Sequence, residues 1–147
     1  MKTLTIEELQ TLCPKFFEKI PYLKMLALFG SRATGHVHAE SDWDFAALYD
    51  EELRKAIIKN PYAWFEVPII ISQTLEIPDN KVDVVELNKC SPIIAHFVAR
   101  DGKLLYEKKN GEFAAFQKIA LKSDVEIKEI RKSLRDRIET SLQRWGV

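Results

Sequence analysis

From Ser41 to Tyr49 the chain reads Ser-Asp-Trp-Asp-Phe-Ala-Ala-Leu-Tyr, a strand-like alternation that carries acids where burial is expected. Successive strand residues point to opposite faces, so Asp42, Asp44, Ala46 and Leu48 share one face while Trp43, Phe45, Ala47 and Tyr49 share the other. The second face reads as core. The first puts two carboxylates within reach of one another, where like charges raise each other's pKa unless cations lie between them. A sheet with one acidic, metal-seeking end is the arrangement that satisfies both faces.

The surrounding chain supplies the rest of such a sheet. Leu23 to Phe29 is a short apolar run stopped by Gly30-Ser31, as for a buried strand ending in a turn. Lys81 to Leu87 is rich in β-branched residues, and Lys103 to Tyr106 follows the Asp101-Gly102 turn as a short fourth strand. Helices are predicted over 6–20, opened by a Thr5-x-x-Glu8 capping box and kinked or restarted at Pro14, then over 51–59, 62–76 and 92–100. From Glu112 the pattern stays helical. There Ile127, Ile130, Leu134, Ile138, Leu142 and Trp145 form an apolar stripe that is expected to pack back onto the sheet. The fold class is α/β (α+β), a small mixed sheet flanked by helices with an amphipathic C-terminal helix. One domain over 1–147 is expected, with chemistry in 23–106 and a helical segment over 112–145.

Composition narrows the function classes. The 147 residues hold 22 basic and 22 acidic side chains, so the phosphate-neutralising surplus of a general nucleic-acid coat is missing and direct nucleic-acid binding is disfavoured. The balance hides an asymmetry: residues 1–107 carry a net −4 and 108–147 a net +4. Cys13 and Cys90 lack zinc-ligand spacing and read as small buried apolar residues of a reducing compartment. No apolar run approaches a membrane span and the N-terminus lacks a signal-peptide pattern, so a cytoplasmic protein is expected.

A third acid, Asp83, stands between Val82 and Val84 inside the third predicted strand. If that strand neighbours the one bearing Asp42 and Asp44, three carboxylates converge. Few, hard oxygen ligands suit Mg²⁺, which keeps waters and completes its shell with substrate phosphate oxygens. The Gly30-Ser31 turn offers backbone N–H groups and a hydroxyl for those phosphates, with Gly30 permitting close approach.

Gly30-Ser31, ten residues, Asp42-Trp43-Asp44 and a later strand aspartate together resemble the signature of polymerase-beta-like nucleotidyltransferases. The local forms Phe29-Gly30-Ser31-Arg32-Ala33-Thr34-Gly35 and Val82-Asp83-Val84-Val85 are most similar to the minimal nucleotidyltransferase (MNT) subfamily, whose members act as antitoxins beside HEPN-domain toxins. The resemblance covers 23–106 with motifs and the last helix only in outline. It implies two Mg²⁺ ions on Asp42, Asp44 and Asp83, with Asp83 completing the ion that activates the attacking hydroxyl, and ATP held by Gly30 and Ser31. Arg32 either adds charge near the phosphates or is structural. The implied reaction is transfer of AMP to a tyrosine hydroxyl of a HEPN ribonuclease, silencing it. Two alternatives stay open: an antitoxin that neutralises by binding through its amphipathic last helix, and a transferase acting on a small molecule such as an aminoglycoside.

The remaining conspicuous residues read as structural. Trp43 and Phe45 are assigned to the core, His96 to packing, and Trp64 and Phe65 to packing of a helix. His36 and His38 have the spacing of a transition-metal pair but sit in the inter-motif loop, and are read as loop residues.

Overall fold

A computed structural model describes residues 4–35 and 41–146, the side chain of Trp64 excepted. His36 and His38 therefore lie outside the described residues, as does any role for the Trp64 side chain.

The first helical stretch breaks where its sequence says it must. Thr5 caps α1 (Ile6–Leu12), its hydroxyl accepting from the Glu8 N–H at 3.1 Å. Pro14 offers no N–H, so the chain passes through a 3₁₀ turn (Cys13–Lys15) before α2 (Phe16–Lys19). Leu9, Cys13, Phe16 and Ile20 nevertheless stay on one buried face. Next come β1 (Leu23–Phe29), α3 (Ser31–Thr34), β2 (Trp43–Tyr49) and α4 (Glu51–Ile57). The helix expected over 62–76 divides into a 3₁₀ turn (Pro61–Phe65) and α5 (Glu66–Leu75). Pro68 is tolerated there because it falls in the first turn of α5, where N–H groups have no intrahelical acceptor.

β3 (Val82–Glu86), α6 (Pro92–Asp101) and β4 (Lys103–Glu107) complete the central layer. The sheet order is β3-β2-β1-β4, with β1 antiparallel to both neighbours and β2 parallel to β3. The fold is thus the mixed sheet with helices that the sequence predicts. One sheet face carries the larger core, where α1, α2 and α5 close over Leu26, Leu28 and Phe45, α5 contributing Ile71. The opposite face carries Met25, Ala27, Ala46 and Leu87 beneath α6. Lying between two strands and two helical layers, β1 is apolar along almost its whole length.

The far end of the β2–β3 pair is clamped by side chains. Asn88 continues the ladder past the end of β3, its amide donating to the Tyr49 carbonyl and its carbonyl oxygen accepting from the Tyr49 N–H, both at 2.9 Å. Beside it Arg54, only 1% exposed, pairs with Glu86 at 3.3 Å and lies over the Tyr49 ring at 4.3 Å. An arginine on a short amphipathic helix gives no sign in sequence that it will be buried.

The C-terminal region departs most from expectation. Instead of one helix there are two, α7 (Glu112–Ala120) and α8 (Asp124–Arg144). Ser123 and Glu126 form a reciprocal capping box that restarts the helix, and the Lys122 N–H donates to His96 Nδ1 at 3.0 Å. His96 is therefore buried and engaged in packing, as read. The stripe on α8 does not fold back onto the sheet: Ile127 is buried, but Ile138 is 59% exposed and Trp145 81%. The expected intramolecular packing of that stripe is wrong beyond its start, because α8 meets the body only through its first two turns, where Ile127 is buried and Arg131 lies over Phe97. Among the aromatics, Trp43 and Phe45 are core, whereas Phe65 is 73% exposed and packs no helix. Cys13 is buried, with its thiol pushed up to about 12 by burial, while Cys90 is only half-buried; both are free thiols.

Replacing Arg54 with Met should lower unfolding stability by roughly 2–3 kcal/mol, because Glu86 and Glu51 lose their buried counter-charge. Urea denaturation measures it; an unchanged midpoint would show that Arg54 does not clamp the strand pair.

Candidate active site

The site grows from the register of two strands. β2 and β3 pair so that Asp44 stands opposite Asp83, and on the other side Asp44 faces Phe29 at the end of β1. Neighbouring strands lie about 4.8 Å apart, so two carboxylates on one sheet face are held a strand spacing from each other. Asp42 immediately precedes β2, since the strand begins at Trp43 and not at Ser41. Asp42 and Asp83 are exposed, and Asp44 is half-buried between them.

Electrostatics register the convergence. Partial burial, then Asp83, then Asp42 push the Asp44 carboxyl above its ordinary range. Deprotonating Asp44 puts charge where charge is already present. Among the described residues no three of these side chains come together as a group that could hold a metal ion. The donor chemistry, carboxylate oxygens alone, is the kind Mg²⁺ takes, with its remaining positions left to water and phosphate oxygens.

The β1–α3 turn abuts this cluster. Gly30 has φ 74° and ψ −155°, and a Cβ placed on it would lie 2.5 Å from Asp44 Oδ2. Both the backbone conformation and the carboxylate demand glycine here. The Gly30 carbonyl accepts from the N–H groups of Ala33 and Thr34 at 3.1 and 3.2 Å, so those of Ser31 and Arg32, in the first turn, take no helical acceptor. Two unspent donors and the Ser31 hydroxyl thus border a carboxylate cluster. Anions next to bridging cations are what such a corner can hold.

Arg32 is engaged structurally. Its Nε and Nη2 donate to the Ser41 carbonyl at 3.2 and 2.8 Å, and its guanidinium lies 4.0 Å from the Trp43 ring centroid. It ties the glycine-serine turn to the start of β2, across the segment between the two motifs. Ser41 is the residue missed at the level of sequence: its carbonyl anchors Arg32, and no pattern signals a backbone acceptor.

The chain belongs to the polymerase beta nucleotidyltransferase family, which it matches over residues 12–111. It is a nucleotidyltransferase. It is 56% identical over 147 residues to the protein adenylyltransferase MntA of Aphanizomenon flos-aquae, covering 99% of this chain and 98% of that one. A solved toxin–antitoxin complex with AMP-PNP contains a chain similar in fold, at 23% identity and a TM-score of 0.59, covering 95% of this chain and 99% of that one. A second, the tri-AMPylated HEPN toxin of Shewanella oneidensis with its MNT antitoxin, matches at 20% identity and a TM-score of 0.56, over 95% and 99% of the chains. No described helix is long and apolar enough to cross a membrane.

Because Asp44 has a raised pKa when folded, its ionisation opposes folding: stability is lost as pH climbs from the unfolded aspartate range through the elevated folded value. In EDTA, Asp44→Asn should therefore melt higher than the wild type at neutral pH, the gap closing toward the acid limit where both side chains are neutral. Added Mg²⁺ should raise the melting temperature of the wild type more than that of the variant. A neutral-pH variant less stable than wild type would contradict the electrostatic assignment.

Proposed function

We propose that this protein is an antitoxin enzyme that uses ATP and Mg²⁺ to transfer AMP to a tyrosine hydroxyl of a cognate HEPN ribonuclease toxin, working in the cytoplasm. The observation that carries the reading is Asp44: placed opposite Asp83, pushed up by partial burial and then by both neighbouring acids, and in near-contact with Gly30. A binding protein has no use for that cost. The 56% identity to a protein adenylyltransferase supports AMP as the transferred group and a protein as the acceptor.

Asp42 and Asp44 would hold both metal ions, and Asp83 would complete the one nearer the acceptor. When bound, the ions neutralise the triphosphate and the developing charge on the attacking and leaving oxygens. The chain's own groups do the remaining work. Gly30, Ser31 and the free N–H groups of the turn bind the phosphates that depart. Asp83, exposed at its strand, takes up or passes on the proton of the acceptor hydroxyl. That oxygen attacks the α-phosphorus in line, the α–β phosphoanhydride bond breaks, and pyrophosphate leaves. Arg32 acts as a positioning residue, keeping the turn docked against β2.

One observation favours a second contribution. The stripe on α8, bare from Leu134 onward, suits docking against a helical partner, so part of the neutralisation would come from binding.

Incubating the protein with a cognate HEPN toxin, ATP and Mg²⁺ should add mass to the toxin in whole AMP increments, with loss of its ribonuclease activity. Asp42→Asn/Asp44→Asn should cut the transfer rate by a factor on the order of 10² or more, the scale on which single electrostatic catalytic groups act. A toxin of unchanged mass overturns the proposal. A double variant that still protects cells fully would assign neutralisation to binding.

A further inference from the structure

The acceptor must reach Asp83, which is exposed on the last strand of the sheet. Phe29 of β1 flanks Asp44 on one side, and α6 covers the same sheet face further along the strands. On the other side the sheet ends at β3. The pattern of bonds shows what that edge presents. The Leu87 N–H donates to the Ala47 carbonyl, so the odd-numbered residues of this stretch bond to β2 and the even-numbered ones turn their backbone groups outward. The Val82 N–H is spent on Asp79, and the Glu86 carbonyl accepts from Lys89. Among the described residues no backbone partner takes the Val82 carbonyl, both backbone groups of Val84 or the Glu86 N–H, which follow one another along the outer side of β3.

A groove runs beside them. A cavity of about 320 Å³ on the larger-core side of the sheet is lined by Phe65, Pro68, Val84 and Glu86, with Tyr49 and Arg54 at its floor. Phe65 is a large apolar side chain left in solvent at its rim. Asp83 and Val84 are adjacent, so Asp83 looks to the carboxylate face and Val84 to the groove face.

We propose that the acceptor protein docks as an extended segment added to the free edge of β3. This rests on the functional reading above. The segment pairs its backbone with Val82, Val84 and Glu86, and its own two-residue alternation divides the labour. The hydroxyl-bearing residue lies opposite Asp83 on the acidic face; its neighbour, opposite Val84, drops an apolar side chain into the groove beneath Phe65. Affinity comes from the main chain and the anchor, leaving the hydroxyl residue free to react.

Two variants spare every group placed in the chemistry. Val84→Pro removes an N–H that points away from β2, a position where an edge strand tolerates proline. Phe65→Asp charges the groove at a residue already exposed. Each should raise KM for the toxin in AMP transfer by roughly tenfold or more while kcat and AMP-PNP·Mg²⁺ affinity, read by calorimetry, stay near wild type. Circular dichroism checks folding, and should Val84→Pro misfold, Phe65→Asp decides alone. Wild-type KM in the folded variants overturns edge docking and leaves the functional reading intact; a wild-type protein that transfers no AMP overturns both.

Discussion

Everything distinctive about this chain follows from a parallel pairing between two short strands that sets one carboxylate against another. A strand pair with free choice of register would slide by one residue, moving Asp83 to the core face and Val84 to the acidic one. The structure prevents this with the apolar core-face side chains Phe45 and Val82, and with the Asn88 and Arg54 clamp at the far end. The clamp is remote from the acids, yet it holds them in opposition. Repulsion at one end of the ladder is offset by hydrogen bonds and a buried ion pair at the other.

The same economy explains Gly30. A turn between β1 and α3 could be built from many residues, but here φ is 74° and a Cβ would lie 2.5 Å from Asp44 Oδ2, so any other residue would be strained and would displace that carboxylate. The N–H groups of that turn and the Asp44 carboxylate thereby border one corner, which offers donors for a phosphate and an anion for a cation side by side. Burial first, then Asp83 and Asp42, raise the Asp44 pKa at this same corner, as expected where charge is concentrated in a partly desolvated site.

How much could be read from sequence depends on whether the information is local. The Asp42-x-Asp44 alternation, the glycine-serine stop and the Pro14 break are local, and each lands within a residue or two of its observed place. Strand partnership is not. The position of β3 beside β2 is not legible in the sequence, because hydrophobic patterning names a buried face without naming its neighbour. The break before α8 was legible in principle: Ser123-x-x-Glu126 is a capping box, overridden by the longer helical periodicity around it. The fate of the α8 stripe was not legible at all, since an apolar stripe asks for a partner and is silent on whether the partner belongs to the same chain.

Edges and faces then divide the molecule in a way that suits the proposed reaction. A sheet buried on both faces and closed at both edges would be more stable, but could meet a second macromolecule only through its loops. Here β1 carries the stability, sealed between two strands and two helical layers, while β3, at five residues, is short enough to limit indiscriminate pairing and carries the Asp83 charge that further discourages it. An incoming strand that places an acid or a bulky apolar residue opposite Asp83 is penalised, and one that brings a hydroxyl is not. The acid that the reaction would require thus also filters what is admitted to the edge, so that selectivity for an acceptor arises from the same charge that makes the apo site costly to fold.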